Sequence, residues 1–382
     1  YAVSEWVGNH LKKTHNKPFF LACGIYRPHE PWFVPQKYFD KFPLETIALP
    51  PGYKADDLDD LPPSGKKRGP NRYFPHIQKH GQWKQGIQGY LASINFADAM
   101  LGRVLDALDN GPNKDNTIVI LWSDHGWHLG EKQHWQKFTA WRACTRVPLM
   151  IRVPSNCSPT LPEGTRAGTV YDDPVSLLSL YATATELSGL PAKKGIDSLS
   201  LLPTLKEPGK PLQKSALTFL HDAGSVGVSA KDWRYIHYKN GDQELYNIKA
   251  DPYEWNNLAG LPAHARKKEE LRSEVPSKFT EFQLISAEAL PPAKFTPFAG
   301  SFPASPPGDA GYRTVFFNTS AREVEIFKVG PDKDLKSIGK LAPGKQVTSQ
   351  SIAGQIWLVK NTSDAILGYF EVLDRAVKAV IK

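Results

Sequence analysis

Two apolar runs with a polar loop slung between them constrain this chain more than any other feature. The first, Thr117-Ile118-Val119-Ile120-Leu121-Trp122, is uninterrupted and β-branched, the pattern of a strand buried on both faces. It stops at Ser123-Asp124-His125-Gly126, and a second run, Val147-Pro148-Leu149-Met150-Ile151-Arg152-Val153, follows. The loop between them holds Trp127, His128, Glu131, His134, Trp135, Lys137 and Trp141. In open α/β sheets ligands bind beyond the carboxyl ends of the strands, so Asp124 and His125 stand where a metal or catalytic group is expected.

A chain of 382 residues is too long for one small core and calls for two or three domains. The net charge of +8 is scattered, with short clusters only at Lys66-Lys67-Arg68 and Arg266-Lys267-Lys268. That distribution argues against nucleic acid as a partner and leaves room for an anionic substrate. No apolar run reaches the roughly 18 residues of a membrane helix, so no membrane span is expected. Cys23, Cys144 and Cys157 show no metal-ligand spacing, and their odd number argues against a complete disulfide framework. The chain opens at Tyr1 without a secretory signal, and Val3 to Lys13 is already an amphipathic helix pattern; this reads as a fragment whose beginning is missing.

Pro18 to Ile25 reads as a second buried strand and ends in Tyr26-Arg27-Pro28-His29-Glu30-Pro31-Trp32, where prolines hold His29 and Glu30 in a stiff turn. Phe33 to Gly86 is rich in Pro, Gly and charge and reads as a long functional loop. From Gly89 to Asp109 the apolar stripe Leu91, Ile94, Ala97, Leu101, Val104, Leu105 and Leu108 predicts a helix, followed by a strand in a doubly wound crossover. Asp173 to Leu187 predicts a further helix with Val175, Leu178, Tyr181, Ala182 and Leu187 facing the core. Beyond Pro211 come short strands, Ala216 to Leu220, Trp233 to Tyr238 and Glu244 to Tyr246, the last two joined by an Asn240-Gly241 hairpin turn. Ala263 to Leu284 reads as helix broken at Pro276. Leu290 to Gly311 reads as a linker, and the five or so strands after it as a compact sandwich.

The string from Ser123 to Glu131, then Trp135-Gln136-Lys137 and Thr145-Arg146-Val147-Pro148-Leu149, resembles the type I sulfatases, especially the iduronate-2-sulfatase-like branch. Phe19-Phe20-Leu21 with Arg27-Pro28-His29, the helix Tyr90-Leu91-Ala92-Ser93 through Asp98, Glu244-Leu245-Tyr246-Asn247 and Asp251-Pro252-Tyr253-Glu254 extend the resemblance over roughly residues 1 to 285. It implies an alkaline-phosphatase-like α/β/α sandwich with a small antiparallel subdomain. The domain expectation is therefore a catalytic core over 1–210, a subdomain over 211–289, a linker over 290–311 and an all-β domain over 312–382.

By the same resemblance Asp124 and His125 match ligands of Ca²⁺, Lys137 a sulfate-binding lysine and His29 a histidine beside the leaving-group oxygen, with Arg27, His128, His134 and Trp135 around the substrate. The family's nucleophile, a formylglycine made within a Cys-x-Pro-Ser-Arg type motif, has no counterpart here, nor has its paired Asp-Asp. Cys157-Ser158-Pro159-Thr160-Leu161 comes nearest but puts Leu161 where the motif has Arg, and it reads as a surface loop. The residues alone leave other roles open: Asp124 as a helix cap, His29 stacked on Trp32, Arg27 and Lys137 solvated, Trp127 and Trp141 in the core.

Phe316-Phe317-Asn318-Thr319-Ser320, Leu341-Ala342-Pro343-Gly344 and Ala353 to Val359 resemble the β domain of the von Hippel-Lindau protein, which implies a module binding protein or glycan. The expected function is sulfate ester hydrolysis on a sulfated carbohydrate, in the periplasm or outside the cell. The alternatives are phosphate or phosphonate ester hydrolysis on the same scaffold, and a non-catalytic sulfated-glycan binder.

Overall fold

The computed structural model describes residues 1–279, 287–306, 311–372 and 375–382 and divides into two compact units, Tyr1–Thr280 and Glu281–Lys382. In the first, helix α1 (Ala2–Leu11) buries Val7 and Leu11 against Leu108 near the end of α5 (Trp83–Asp109), with Phe19, Leu21 and Val119 filling in around them. Three short helices precede α5: α2 (Gln36–Phe39), α3 (Pro63–Lys66) and α4 (Tyr73–Lys79). The 33–86 region therefore has helical turns where the sequence suggests loop alone. Helix α5 starts six residues earlier than its stripe predicts, and its buried positions include Gly89, Ala92, Ser93 and Met100 while Ile94 faces solvent. The small residues lie inside because neighbours pack closely there.

The two apolar runs do pair with each other, as β1 (Val119–Trp122) and β4 (Leu149–Arg152), but antiparallel and as a two-stranded ribbon. Among the described residues of this unit every strand pairing is antiparallel, so the doubly wound crossover is not formed here. Nor is Pro18 to Ile25 a strand: it runs extended without a ladder, and Phe20 is 88% exposed. Apolar continuity states that a stretch can be buried; a ladder also needs a neighbour's N–H and C=O groups, and these are met only on one side of β1. Trp122, which closes that run, is 48% exposed.

Between β1 and β4 lie the small ribbon β2 (His128–Leu129) and β3 (Trp135–Gln136) and helix α6 (Arg142–Thr145). Helix α7 covers Ser179–Leu187, shorter than predicted, and α8 covers Leu202–Lys206. The face that α7 buries is Ser179, Thr183 and Leu187, whereas Leu178 and Tyr181 are exposed. The hydroxyls make this face tolerable: Thr183 Oγ1 donates to the Ser179 carbonyl at 2.6 Å and accepts from the Leu201 amide at 2.8 Å.

The second half of this unit is a four-stranded meander, β5 (Ala216–Phe219), β6 (Val226–Ser229), β7 (Trp233–His237) and β8 (Gln243–Asn247), in that order. Strand β6 escapes the sequence reading because Gly227 interrupts a short run. Gly241, at φ +89°, makes the β7–β8 turn that Asn-Gly foretells. One face of the meander packs on α9 (Ala265–Arg272), through Leu271 against Tyr235 and Leu245. The other takes Trp141 and Ala140 of the long loop against Ile236, Tyr238 and Tyr246. The end of the expected Ala263 to Leu284 helix, residues 280–284, lies outside the described residues.

The second unit has eight strands among the described residues: β9 (Lys294–Pro297), β10 (Tyr312–Asn318), β11 (Val324–Val329), β12 (Leu335–Leu341), β13 (Gln346–Ser351), β14 (Gln355–Asn361), β15 (Ile366–Val372) and β16 (Val377–Ile381). They form a three-stranded sheet, β13-β10-β16, and a five-stranded one, β12-β11-β14-β15-β9. Phe316, Ala379, Trp357, Val359 and Phe370 share one core between the two. Strand β9 corrects the linker expectation: Lys294–Pro297 pairs with β15 because an edge strand accepts Pro at its end.

Helix α7 offers a direct check. Leu187→Ala empties a site lined by Val153, Leu161 and Leu202 and should cost about 2–5 kcal/mol in chemical denaturation, while Leu178→Ala, at 59% exposure, should stay within about 0.5 kcal/mol.

Candidate functional site

Lys137 is the meeting point of the polar loop. Its Nζ lies 2.9 Å from His125 Nε2 and 3.1 Å from His29 Nε2, so residues 108 positions apart in sequence share one ammonium. Asp124 Oδ2 stands 3.4 Å from His125 Nε2, with the Asp124 side chain 81% exposed. Trp127 backs the group edge-on to His29 and stacks on Tyr90. Asp124, His125 and Lys137 face a broad open depression of about 3480 Å³ whose wall also carries Arg142, Arg146, Arg152 and Arg166.

The hydrogen bonds assign both imidazole tautomers. His29 Nδ1 is 2.7 Å from the Glu30 carbonyl and His125 Nδ1 is 2.9 Å from the Gly126 carbonyl; a carbonyl only accepts, so each Nδ1 carries the proton and donates. Each Nε2 is then a lone pair turned to Lys137, which donates to both. Tyr26 completes the His29 turn by donating to the Glu30 carbonyl at 3.0 Å, and Gln136 on β3 donates to the Glu30 carboxylate. The turn at Gly126 is obligatory: a Cβ there would collide with the Ala143 carbonyl, to which the Trp127 amide donates at 3.0 Å.

The structure brings His29, Asp124, His125 and Lys137 together and sets the other expected residues apart. Arg27 spends its guanidinium on its own turn, donating to the carbonyls of His29 and Phe33 at 3.2 and 3.1 Å. His128, His134 and Trp135, expected around the substrate, are buried. His128 Nδ1 donates to the Glu131 carbonyl at 3.2 Å and its Nε2 accepts from Thr139 Oγ1 at 2.7 Å. Burial, with His134 close by, holds the His128 ring well below its ordinary pKa. His134 Nδ1 donates to the Arg68 carbonyl at 2.5 Å, and desolvation lowers that ring too. Trp135 packs edge-on against Trp32.

What the sequence reading passed over is a set of buried charges around the same loop. Lys132, 1% exposed, pairs with Asp57 Oδ1 at 2.7 Å and donates to the Glu254 carbonyl. Arg234 on β7 lies 2.8 Å from Glu254 Oε1 and donates to the Ala140 carbonyl at 2.9 Å. Glu254 Oε2 accepts from the Arg142 amide at 2.8 Å. Glu244 on β8 accepts from Trp141 Nε1 at 2.7 Å and from the hydroxyls of Tyr238 and Tyr246, both at 2.6 Å. Desolvation pushes Asp57 up to about 7 against the pull of Lys132, and burial raises Glu244 and Glu254 as well. A lysine before a polar loop and acids in an otherwise apolar strand are the sequence signal for such pairing, since charges are buried only with partners.

The segment between these contacts is strained. Lys132, Gln133, Gln136 and Phe138 all take positive φ, between 49° and 80°, at a cost of about 1–3 kcal/mol each.

A calcium ion takes six to eight oxygen ligands. Asp124 and His125 offer one carboxylate and one imidazole, and no group of three or more His, Cys, Asp or Glu that could hold a metal occurs among the described residues. The Lys137 ammonium also lies on the His125 lone pair that a cation would need. These residues by themselves do not fit a calcium site.

His128 gives a pH test. Above its ordinary 6.5 the ring is neutral folded or unfolded; as pH falls through 6.5 the unfolded chain takes up a proton that the buried ring refuses, so the folded state loses stability on the acid side. Relative to His128→Gln, the unaltered protein should lose up to about 1.4 kcal/mol per pH unit below pH 6 in denaturant titrations. Parallel curves for the two proteins would remove the assignment.

Comparison with known proteins finds sulfatases. Residues 3–190 match the family model described as Sulfatase. The chain is similar to a protein named sulfatase from Formosa agariphila, 40% identical over 275 residues that cover 71% of this chain and 52% of the relative. It is also similar to iduronate 2-sulfatase of Mus musculus, 34% identical over 238 residues, 55% of this chain and 42% of the relative. The chain thus spans about half the length of these curated relatives. In fold it resembles a protein solved with its substrate D-glucosamine-2-N,6-O-disulfate, at a TM-score of 0.57 and 23% identity, over 72% of this chain and 68% of that one. Through residues 3–190 the chain is thus similar to the sulfatases.

Proposed function

We propose that this chain provides the sulfate-binding and leaving-group side of a sulfatase acting on a sulfated carbohydrate. The observation that carries the reading is the Lys137 ammonium held between His29 and His125 at the edge of the depression. A sulfate ester has three exposed anionic oxygens, and a lysine presents a point charge suited to one of them without demanding a planar partner. When a sulfuryl oxygen takes over the hydrogen bond that Lys137 now gives to His29, the freed Nε2 lone pair of that ring takes up a proton from solvent, and the resulting Nε2–H is given to the ester oxygen that leaves. The bond from Nδ1 to the Glu30 carbonyl keeps the ring oriented throughout.

The sulfatase relatives support a sulfated sugar as the substrate class, and a periplasmic or extracellular setting goes with such a substrate. The formylglycine nucleophile expected of the family has no matching motif in these 382 residues, so no attack step is assigned to the chain. For residues 312–382 the reading is a binding module for protein or glycan, in keeping with the likeness to the von Hippel-Lindau β domain.

Calorimetry with glucosamine 6-sulfate and with glucosamine tests the site. Binding of the sulfated sugar should be at least about tenfold tighter, and Lys137→Ala should abolish the difference, a loss of about 1.4 kcal/mol or more. Equal affinity for the two sugars sinks the proposal. Preference for the 6-phosphate over the 6-sulfate would move it to phosphate esters.

A further inference from the structure

We infer that Glu254, Arg234 and Lys132, supported by Asp57 and Glu244, are positioning residues for Lys137: a buried charge cluster that clamps both ends of a strained loop and sets the lysine between His29 and His125. The inference rests on the reading that Lys137 contacts substrate, but it concerns where the ammonium is held, which can be measured without turnover.

Four non-glycine residues at positive φ fall within 132–138, and Lys137 lies among them. Such a backbone relaxes unless its surroundings fix it. At the entrance, Lys132 is fixed by the Asp57 carboxylate and the Glu254 main-chain carbonyl. At the exit, three successive residues are held by the small sheet and the segment after it: the Ala140 carbonyl by Arg234, the Trp141 indole by Glu244 and the Arg142 amide by the Glu254 carboxylate. Glu254 thus touches both ends, through its carbonyl at one and its side chain at the other. Arg234 meets the same carboxylate, so removing one partner leaves an uncompensated charge in a dry site.

Within the loop, the contacts do not reach the Lys137 side chain. His134 Nε2 lies 2.9 Å from the Lys137 carbonyl, while the Lys137 Nζ meets the two imidazoles and the Phe138 ring. Placement of the ammonium is therefore inherited from the backbone, and the backbone is set by the clamp. The cluster's cost in desolvation buys geometry at a point where a shift of about 1 Å matters for catalysis.

The experiment is a double-mutant cycle on the full chain, read by nitrogen-15 NMR of the His29 and His125 rings. Lys137→Ala removes the donor to both Nε2 atoms and gives the reference shift. Glu254→Gln should move the same two signals by at least half of that reference, and should add nothing on a Lys137→Ala background. If Glu254→Gln shifts the rings equally in both backgrounds, or not at all, the cluster is a stability device and the inference is overturned. Should Glu254→Gln fail to fold, Trp141→Phe, which deletes one N–H bond to Glu244 and keeps the ring, is read in the same way. Sugar binding measured alongside separates the two ideas: loss of sulfate preference in Lys137→Ala with unmoved rings in Glu254→Gln keeps the proposed function and removes only the clamp.

Discussion

Glu254 is the residue on which the geometry of the first unit turns. It is buried, and it faces an arginine from the meander, an amide from α6 and, through its carbonyl, a lysine from the start of the catalytic-type loop. Buried ion pairs add little net stability, since desolvation of both partners offsets most of their attraction. They do penalise alternatives heavily, because any arrangement that separates the partners strands a charge. The meander β5–β8 is thereby more than an appendage: its strands supply Arg234 and Glu244, and the segment after it supplies Glu254, all directed at one loop.

The loop itself illustrates two different uses of burial. His128, His134 and Trp135 are inside because their hydrogen bonds and rings fill the space under the loop. Lys132 is inside because its charge is matched. Lys137, five residues on, is the one basic group of the stretch turned to the imidazoles at the surface. A polar and aromatic sequence of this kind cannot be sorted by residue type, since the same histidine chemistry serves as filler at 128 and as a partner of an ammonium at 125.

That limits how far the sequence could be read. Asp124, His125, Lys137 and His29 were legible because they sit at chain punctuation: the end of an apolar run, a Pro-flanked turn, a Gly-bounded loop. The hairpin at Asn240-Gly241 and most strands of the second unit were legible for the same local reason. The role of Leu178 was not, because helical spacing admits more than one face, and the packing of α7 selected Ser179, Thr183 and Leu187. Likewise Thr117 to Trp122 announces an apolar strand but cannot announce its neighbours, and in the structure one ladder with β4 is what it has. The buried charges were hidden for a physical reason: Asp57, Glu244 and Glu254 look like surface acids until Lys132, Trp141 and Arg142, at 75, 103 and 112 residues' distance, are brought in.

The site's chemistry follows from where its donors and acceptors point. Both imidazoles turn their N–H inward to main-chain carbonyls and their lone pairs outward to one ammonium, so Lys137 is hydrogen-bonded without a carboxylate being spent on it. A neutral partner is given up more readily than a charged one when an anion arrives, because no ion pair has to be broken. Asp124 is exposed and lies against His125 instead. On the proposed reading an anionic ester oxygen replaces the His29 imidazole at Lys137, and that ring, still anchored through Nδ1, takes a proton from solvent at Nε2 and passes it to the leaving oxygen.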